Sequence, residues 1–529
     1  MRTGSYEIIL PLIGSDEKEI EGKSLLVSGL YGAIDVVDSS VAQALSSGDI
    51  SSLSLEMRER LAVRGHITRK DEEQELEDAR LLGRVFRILV GHRGVGPIIL
   101  PTFDCNFRCP YCFEQHRLSR GNEWLGREMK PEMVDAVFAG LQKLRDKGRV
   151  IDACTLYGGE PLLRENYDTV KNICEHAKAM GLSLSAITNG YDLDAFIDLM
   201  EEYDFRQLQV TVDGIAEIND KRRLHRDGLP TYERIMENVR LALDHGIDIS
   251  LRVNTNADNI GGVKALIEDI GKKGFKVTKH IERREVREKE RKAEKEGRPV
   301  PKRKGFFFYY FKAVSEKIDS PTRVSERMVL EAIIDAGIAP EDAMEMQSRY
   351  SLPMGELITA MEKRDYPSFS TAFCGAEQGA LGVGPDGKLF TCWDLVAMDE
   401  LAVGMTDVET GTFMFNFDKA KWSLRTSDQM EPCKTCPYIF ICRGGCAAEA
   451  KNEHDDYFRE YCGEIKEIFA YVAGRVAAKK WQKTGEEELT ISLAGPLSRL
   501  TDSDRETIMN TRSRTEVFDV LKKAGIVWE

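Results

Sequence analysis

Three cysteines near the start of the chain are spaced for metal chemistry. Cys105, Cys109 and Cys112 form a C-x3-C-x2-C pattern within one short loop. Thiolates so closely spaced can hold three corners of a [4Fe–4S] cube, which leaves the fourth iron without a protein ligand. Structural zinc is the alternative, but it usually takes four ligands, and the next cysteine, Cys154, lies beyond a predicted helix. The loop therefore predicts an iron–sulfur centre with an open position.

Seven further cysteines lie later in the chain. They are Cys374, Cys392, Cys433, Cys436, Cys442, Cys446 and Cys462. Taken alone, the stretch from 433 to 446 is also compatible with a zinc ribbon. Cys154 and Cys174 fall outside both sets, and we interpret them as buried thiols. In a cytosolic protein such cysteines are more readily metal ligands than disulfides.

Length and composition narrow the class of protein. A chain of 529 residues suggests two to four domains. The formal net charge of -14 does not favour nucleic-acid binding. No apolar run approaches the roughly 20 residues of a membrane helix, and the apolar stretch Ile8–Ile13 has neither a basic flank nor a cleavage site. We therefore predict a cytoplasmic protein without membrane contact.

Strands and helices alternate between Gly96 and Phe311, which predicts parallel β/α units. The predicted strands are Ile98–Pro101, Ala153–Tyr157, Ser183–Thr188, Gln207–Val212, Ile249–Asn254 and Phe306–Phe311. The predicted helices are Pro131–Asp146, Tyr167–Met180, Leu193–Glu202, Thr231–His245 and Gly262–Lys273. Six units fall short of the eight of a closed barrel. Because ligands bind at the C-terminal edge of such sheets, the cysteine loop is expected there.

A second motif, Gly158-Gly159-Glu160, ends the second strand. Together with the cysteine loop and the aromatic Tyr111 inside it, this motif resembles the radical S-adenosylmethionine (SAM) enzymes. The resemblance implies an α/β fold with a partial (β/α)6 TIM-type barrel. It also implies that SAM binds the open iron and is cleaved to methionine and a 5′-deoxyadenosyl radical, which abstracts hydrogen from a substrate.

The resemblance also assigns roles to individual residues. It carries over seven cofactor contacts: Tyr111, Gly158, Gly159, Glu160, Asn189, Thr211 and Arg223. Tyr111 would contact the adenine, and the Gly-Gly-Glu motif would contact the amino group. Arg223 would pair with the SAM carboxylate, since a planar guanidinium suits a carboxylate. It lies in an element where Asn219 replaces the family's usual His, and a surface ion pair is the alternative for it.

The order of the seven later cysteines is similar to the SPASM domain of radical SAM peptide-modifying enzymes. The resemblance implies two auxiliary [4Fe–4S] clusters, so three clusters in all. The distal cluster would be held by Cys433, Cys436, Cys442 and Cys462. The proximal cluster would be held by Cys374, Cys392 and Cys446, which is one thiolate short, so an open iron, another group or the substrate completes it.

One position departs from the pattern of anaerobic sulfatase-maturing enzymes. Those enzymes place an acid directly after the cysteine that matches Cys392, whereas this chain has Trp393 there. Asp394 follows one step later and is the candidate catalytic base, with a loop hydrogen bond as its alternative role. The departure weakens a transfer of sulfatase-type chemistry.

Five segments are predicted along the chain. They are a winged-helix-like leader-peptide recognition domain (1–93), the radical SAM partial barrel (94–314) with a charged insertion (279–304), a helical linker (315–373), the SPASM auxiliary-cluster domain (374–462) and a helical tail (463–529). The front module resembles peptide-recognition domains that add a leader peptide as a strand on an exposed sheet edge; a structural cap is the alternative. The insertion is interpreted as a solvated helix or loop, or as an arm that gathers an acidic peptide or contacts nucleic acid.

These observations predict a radical SAM/SPASM maturase. Its expected substrate is a ribosomally made precursor peptide with a leader, in which hydrogen abstraction forms an intramolecular thioether or carbon–carbon cross-link. A flavodoxin- or ferredoxin-type protein would supply electrons. The alternatives are oxidation of a protein residue, as in sulfatase maturation, radical chemistry on a small molecule, and a metal-bearing binding protein without radical chemistry.

Overall fold

The computed structural model describes residues 1–90, 96–112, 125–300, 303–317, 319–346, 351–396 and 398–526. The described chain forms two compact units. The first unit comprises residues 1–90, 351–378 and 424–526, and the second comprises 96–346, with its gaps, and 379–423. The predicted boundary at 93/94, residues 301–302 of the insertion and residues 527–529 of the tail lie outside the described residues. The segment 374–462, predicted as one domain, is divided between the units.

Two small sheets form the β region of the first unit. β1 (Arg2–Thr3) pairs antiparallel with β5 (Ile67–Thr68). β2 (Glu7–Ile13), β3 (Glu19–Ser28) and β4 (Ile34–Asp38) form a three-stranded antiparallel sheet. β3 and β4 are joined through Gly29–Gly32. β2 contains Pro11, which fits an edge strand.

The rest of the regular structure in the first unit is helical, including most of its C-terminal part. The helices span Ser39–Ser47, Leu55–Arg64, Glu72–Val90, Ser351–Lys363, Glu431–Lys434, Ile439–Cys442, Ala447–His454, Ile465–Thr484, Ala494–Leu497, Asp502–Asn510 and Arg514–Lys523. A further helix, Asp418–Leu424, ends at the boundary between the units. None of the helices in the described part of the chain is both long and apolar enough to cross a membrane.

Both edges of the three-stranded sheet are covered by later parts of the chain. At β4, the amide of Val36 donates to the carbonyl of Glu487 at 2.8 Å, and the amide of Leu489 donates to the carbonyl of Ile34 at 2.9 Å. At β2, a Cβ on Gly474 would lie 2.5 Å from the carbonyl oxygen of Pro11, so the helix Ile465–Thr484 packs against that edge. Within the described residues, the open edge expected of a leader-binding module is therefore occupied by the chain itself.

A buried network of charged side chains connects the strands of the front module. The His66 ring, fully buried, contacts Glu7 at 2.9 Å and Asp35 at 2.5 Å. Arg64 donates two hydrogen bonds to the same Asp35 carboxylate, at 2.9 and 2.8 Å. Burial alone would lower the pKa of His66, but the two carboxylates outweigh it and raise the pKa to about 9. His66 is therefore a cation at neutral pH.

We expect this network to make stability depend on pH. Because the pKa of His66 is about 9 in the folded chain and about 6.5 when unfolded, its contribution is complete below pH 6.5. That contribution is lost as the pH rises through 9, by about 3 kcal/mol at most. Urea unfolding of wild type and of His66→Gln between pH 6 and 10 should show this decline only in wild type.

The control is His245→Gln, because the His245 ring contacts Glu201 in a part-exposed pair at 2.8 Å. That variant should keep the wild-type decline. If His66→Gln and wild type lost stability equally over this pH range, the assignment of the proton to His66 would be wrong.

A ten-stranded sheet organises the second unit. Its parallel strands are β6 (Ile98–Ile99), β7 (Ala153–Leu156), β8 (Ser183–Thr188), β9 (Phe205–Thr211), β10 (Asp248–Thr255) and β11 (Phe307–Ala313). They neighbour one another in chain order. All six coincide with predicted strands, with ends that differ by at most two residues. The second unit therefore has the parallel sheet of a partial TIM barrel.

The sheet also contains strands that the sequence did not place there. β12 (Gly382–Val383) pairs in parallel with β6, and β13 (Lys388–Phe390), β14 (Gly404–Asp407) and β15 (Thr412–Phe415) continue antiparallel. Part of the later cysteine region thus extends the barrel sheet. The helices of this unit span Pro131–Asp146, Tyr167–Ala179, Ile197–Glu202, Ala216–Arg222, Tyr232–Asp244, Val263–Lys272, His280–Lys295, Glu326–Asp335 and Pro340–Glu345.

The charged insertion contains the helix His280–Lys295, which is fastened to the N-terminal ends of the strands. Arg287 donates to the Asp248 carboxylate at 2.5 Å, and Arg303 donates to its other oxygen at 2.8 Å. Asp248 is the first residue of β10. Of the alternatives for the insertion, the structure shows a helical excursion, and these two arginines are already neutralised. Their position is opposite to the strand ends at which the cysteine loop lies.

Candidate functional site

The first cysteine loop lies directly after β6 and is clamped by the segment around His225. Phe107 and His225 form an isolated antiparallel bridge. The amide of Arg108 donates to the Leu224 carbonyl, and the amide of Arg226 donates to the Asn106 carbonyl, both at 2.7 Å. These backbone bonds fix the loop without using a cysteine side chain. The thiols remain available as ligands.

The three thiols of this loop face a common region. Burial and the neighbouring Glu160, Cys109 and Cys112 raise the pKa of Cys105 above its ordinary range. The amide of Cys112 donates to the carbonyl of Cys109 at 3.1 Å, which closes the tight turn between them. A bound metal centre would supply the positive charge that such buried thiolates lack. The donor set therefore fits an iron–sulfur cluster.

The Gly-Gly-Glu motif crosses the start of the cysteine loop at very close range. A Cβ on Gly159 would lie 2.1 Å from the carbonyl oxygen of Asp104. The amide of Glu160 donates to the same carbonyl at 2.7 Å. Gly158 has φ of 126°, in a region that favours glycine. Both glycines are thus needed for backbone geometry, whatever cofactor binds beside them.

Glu160 links the ends of two strands through its buried carboxylate. One oxygen accepts hydrogen bonds from Thr188 Oγ1 at 2.6 Å and from the Leu162 amide at 2.9 Å. The other accepts from the Asn189 amide at 2.6 Å. Burial raises the pKa of Glu160 to about 7, although these hydrogen bonds oppose the rise. An ammonium group beside this carboxylate would hold it in the charged form.

Asn189 extends the same network to the cysteines. Its side-chain amide donates to Asn106 Oδ1 at 2.6 Å and lies 3.9 Å from the sulfur of Cys105. Tyr191 in turn donates its backbone amide to Asn189 Oδ1 at 2.9 Å. The structure therefore brings Asn189, Glu160 and Cys105 into one connected group, at the C-terminal ends of β7 and β8.

Arg223 and Tyr111 form a second group beside the cysteine loop, where the Arg223 guanidinium carbon lies 5.4 Å from the centre of the Phe107 ring. Arg223 donates to the Tyr111 hydroxyl at 3.0 Å, and the Arg222 guanidinium carbon lies 4.7 Å from the centre of the Tyr111 ring. Arg223 is only 7% exposed, so the surface ion pair considered above does not fit. Its Nε is buried and has no hydrogen-bond partner among the described residues. An unsatisfied buried donor of this kind fits a ligand carboxylate.

Asn219, which stands in place of the expected His, has a positioning role. Its side-chain oxygen accepts from the Asp213 amide and its nitrogen donates to Thr231 Oγ1, both at 2.9 Å. Asp213 contacts Arg222 at 3.3 Å, so Asn219 holds a carboxylate next to the arginine pair. Thr211 ends β9, but its hydroxyl makes no hydrogen bond within the described residues. Its predicted contact with the cofactor stays a prediction.

Four later cysteines gather in the first unit. Burial, together with the thiols of Cys442, Cys436 and Cys462, raises the pKa of Cys433 to about 12. Gly445 lies between two of the cysteine segments, and a Cβ there would lie 1.9 Å from the Tyr461 carbonyl oxygen. The structure thus brings together the four thiols assigned to the distal cluster. Their role as iron ligands stays a prediction.

A buried ion pair that the sequence analysis missed joins the other cysteine segments of this unit. Arg425 and Glu377 meet at 2.7 Å with both side chains fully buried. Glu377 accepts the backbone amide of Cys374 at 2.9 Å, and Arg425 donates to the carbonyl of Gly445, the residue before Cys446, at 2.8 Å.

Arg425 also donates to the carbonyls of Tyr457 at 2.6 Å and of Arg459 at 2.8 Å, in the segment that leads to Cys462. One guanidinium therefore fastens two stretches of backbone directly and a third, at Cys374, through Glu377. No spacing in the sequence signals this, because the pair is 48 residues apart along the chain.

The residues around Cys392 belong to the second unit. Cys392 precedes a short 3-10 turn, Trp393–Leu395. Trp393 is 46% exposed, and its ring centroid lies 6.2 Å from that of Tyr157. Asp394 is part-buried and makes no hydrogen bond or ion pair within the described part of the chain. Both its role as a base and its alternative role in a loop hydrogen bond stay predictions.

Among the described residues, no group of three or more His, Cys, Asp or Glu side chains is arranged to hold a metal ion. This holds for both cysteine sets alike. The zinc ribbon considered for residues 433–446 stays an alternative.

Comparison with known proteins agrees with this geometry. Residues 99–270 match the Radical SAM superfamily. The chain carries a radical SAM domain. This domain contains the cysteine loop, the Gly-Gly-Glu motif and Arg223, and it is followed by a C-terminal cysteine-rich auxiliary region. The predictions of a radical SAM domain and of a partial TIM barrel are thereby confirmed.

Individual relatives cover different shares of the chain. An S-adenosylmethionine-dependent nucleotide dehydratase from Psychrobacter lutiphocae is 27% identical over 32% of this chain and 58% of its own length. The chain thus spans little more than half of that relative. A cysteine-type anaerobic sulfatase-maturating enzyme from Clostridium perfringens is 22% identical over 70% of this chain and 94% of its own.

A solved structure, native anSMEcpe with bound AdoMet and Cp18Cys peptide, has a similar fold. It covers 73% of this chain and 100% of its own, with a TM-score of 0.51 and 19% identity. At that identity the likeness shows the fold and no more. Since 73% of the chain is more than the barrel segment, the likeness in fold extends beyond the barrel.

We expect Gly159→Ala to abolish loading of the first cluster. The added methyl group would collide with the Asp104 carbonyl, which is backbone and cannot turn aside. The loop would shift and its three thiols would separate. Iron and acid-labile sulfide content after anaerobic reconstitution should fall by about one cluster, roughly four irons per chain.

Gly271→Ala is the matched control, because a Cβ there meets no atom within 4 Å and the residue is helical. That variant should load like wild type. Full iron content in Gly159→Ala would show that the close approach is not required for the cysteine loop.

Proposed function

We propose that this chain is a radical SAM maturase that modifies a ribosomally made precursor peptide. The observation that carries the proposal is the connected group at the strand ends. Cys105 and its loop lie against Gly159, Glu160 reaches the loop through Asn189, and Arg223 presents a buried unpaired Nε. This arrangement provides thiolates for a cluster, an anion for an ammonium group and a cation for a carboxylate.

Each of these residues has a defined task in the proposed reaction. Cys105, Cys109 and Cys112 would hold a [4Fe–4S] cluster and leave one iron open. Glu160 would accept the SAM amino group, and Arg223 would hold its carboxylate. When bound, the cluster and SAM would supply reductive cleavage of the sulfonium and a carbon radical that abstracts hydrogen from the substrate. The protein's part is to orient the ligand and exclude water.

A peptide is the substrate class that the comparisons favour. The relative matched over nearly its whole length acts as a sulfatase-maturating enzyme, and the structure of similar fold holds a peptide. We propose that the product is an intramolecular thioether or carbon–carbon cross-link. Oxidation of a protein residue is the second candidate, but Trp393 follows Cys392 where that chemistry would use an acid. Radical chemistry on a small molecule is the third.

The auxiliary region would take part in electron transfer or substrate binding. Two further [4Fe–4S] clusters, held by the later cysteines, would receive the electron left after hydrogen abstraction. A flavodoxin- or ferredoxin-type protein would reduce the first cluster. These partners, and a location in the cytoplasm, stay predictions.

Changing Cys105, Cys109 and Cys112 together to Ala should abolish formation of 5′-deoxyadenosine. The loss is expected because no other residues of the described site can hold the cluster. The measurement is chromatography of anaerobic reactions with SAM and a reductant, with mass spectrometry of a precursor peptide encoded beside the gene. Cross-linking would appear as a loss of hydrogens from the peptide.

Cys174→Ala is the control, because this buried thiol lies on the helix Tyr167–Ala179, outside both cysteine sets. It should retain cleavage of SAM. Cleavage by the triple variant at the wild-type rate would refute the assignment of the first cluster.

We propose that the front module docks the leader as a strand on β4. In the described conformation the segment Glu487–Thr490 holds that edge. Thr490 secures the segment, since its hydroxyl accepts from the Ile34 amide at 2.8 Å and donates to the Gly32 carbonyl at 2.7 Å. A leader strand would have to replace this segment.

Thr490→Val should therefore raise the affinity for a leader peptide several-fold. The change removes both side-chain hydrogen bonds of the competing segment, each of which contributes about 1 kcal/mol. Fluorescence anisotropy of a labelled leader would measure it. Thr507→Val is the control, because the Thr507 hydroxyl bonds only within its own exposed helix. Equal affinity in wild type and Thr490→Val would favour the structural-cap interpretation.

A further inference from the structure

On β9 and β10 the two faces of the sheet differ in polarity. Side chains alternate between the two faces of a strand. On β9 and β10, Leu208, Val210 and Leu251 are fully buried. The alternate positions carry Gln209 and Arg252, which are only part-buried. The helices thus cover an apolar outer face, and the inner face presents groups that can bind a polar ligand.

The parallel strands contribute almost no negative charge. Within the described strands β6 to β11 the only acidic residue is Asp248. It lies at the N-terminal end of β10 and is paired with Arg287 and Arg303. Arg252 lies four residues nearer to the C-terminal ends, and no strand residue neutralises it. An anion beside Arg252 would therefore meet no opposing acidic residue from the strands.

Arg252 and Gln209 both have donors without partners. Tyr310 donates its hydroxyl to Gln209 Oε1 at 2.5 Å, which turns the Gln209 amide nitrogen away; that nitrogen is buried and has no partner among the described residues. Arg252 uses its Nε on Asn254 Oδ1 at 2.8 Å. Its two Nη groups make no hydrogen bond within the described part of the chain.

Strand register places these groups near the predicted SAM contacts. The Cα of Arg252 is paired with that of Thr211 on β9 and with that of Tyr310 on β11. The amide of Val212 donates to the Arg252 carbonyl at 3.0 Å. One residue farther on, Asp213 contacts Arg222 of the site described above. Gln209 therefore lies on the same strand as Thr211, and Arg252 lies beside Thr211 on the neighbouring strand.

We propose that Arg252 and Gln209 form a subsite for a carboxylate of the substrate. A carboxylate would accept from both Arg252 Nη groups, which present a planar fork, and from Gln209 Nε2, which is otherwise unsatisfied. This assignment rests on the proposed function and adds to it the chemistry of the substrate. The carboxylate belongs either to an Asp or Glu side chain or to the C-terminus of the peptide. Its anchoring would fix which carbon faces the radical.

The test uses the reconstituted full chain, with and without SAM, and three acetylated probe peptides. Acetyl-Gly-Glu-Gly-amide carries a side-chain carboxylate, acetyl-Gly-Gln-Gly-amide carries none, and acetyl-Gly-Gln-Gly with a free C-terminus carries a terminal one. Affinities are measured by ligand-observed NMR titration. We expect a carboxylate-bearing probe to bind about tenfold more tightly than the neutral probe.

Arg252→Gln should abolish that preference, and Arg252→Lys should keep part of it, because Lys retains the charge but not the fork. Arg206→Gln is the matched control: Arg206 lies near the N-terminal end of β9, and its Nε contacts Asp204 at 2.9 Å. This control should keep the full preference. Circular dichroism and iron content show whether each variant is folded.

The relative affinities of the three probes show whether the Arg252 subsite exists. A preference for either carboxylate probe that disappears only in the Arg252 variants supports the subsite and identifies its source. No preference in wild type, a preference that survives Arg252→Gln, or one that Arg206→Gln also removes would overturn it. So would a preference seen only without SAM, because the subsite would then serve the SAM carboxylate. If the chain cleaves SAM but prefers no carboxylate probe, this inference is wrong and the proposed function still stands. If a carboxylate probe is preferred but SAM is not cleaved, the proposed function is wrong and the subsite still stands.

Discussion

The site depends on one close backbone approach. Gly159 lies so near the Asp104 carbonyl that no side chain fits between them, and the adjacent Glu160 amide bonds to the same oxygen. Together with the backbone bonds to the segment around His225, this contact positions the cysteine loop. Glu160 then connects to Thr188 and the next strand end. The loop could not be shifted without moving the carboxylate that is proposed to bind the ligand.

The short-range features of the barrel could be predicted from the sequence, because they rest on local periodicity. Each parallel strand has apolar residues on the face that the helices cover, as in β8, and each helix has a regular apolar stripe. The sequence also indicated that the backbone comes close to another group at the two glycines of the Gly-Gly-Glu motif. Only the structure gives their reason, which is a steric limit set by Asp104 and not by the ligand.

Long-range pairings could not be predicted in this way. β12 has two residues, and nothing in Gly382–Val383 indicates that it pairs with β6. The periodicity of the sequence does not indicate that Arg425 and Glu377 pair. Their ion pair nevertheless connects the segments of Cys374 and Cys446. Such contacts depend on which surfaces meet after the local elements form. The covered edges of the front sheet were missed for the same reason.

The pairing of β6 with β12 has a consequence for the order of events during synthesis. β6 stands at residue 98 and β12 at residue 382, so the strand that leads into the cysteine loop gains its second neighbour only after most of the chain has left the ribosome. Contacts so distant along the chain form late. Iron and sulfide delivered before that stage would meet a cysteine loop whose preceding strand still lacks one of its two neighbours. Cofactor insertion into this protein should therefore be a post-translational event.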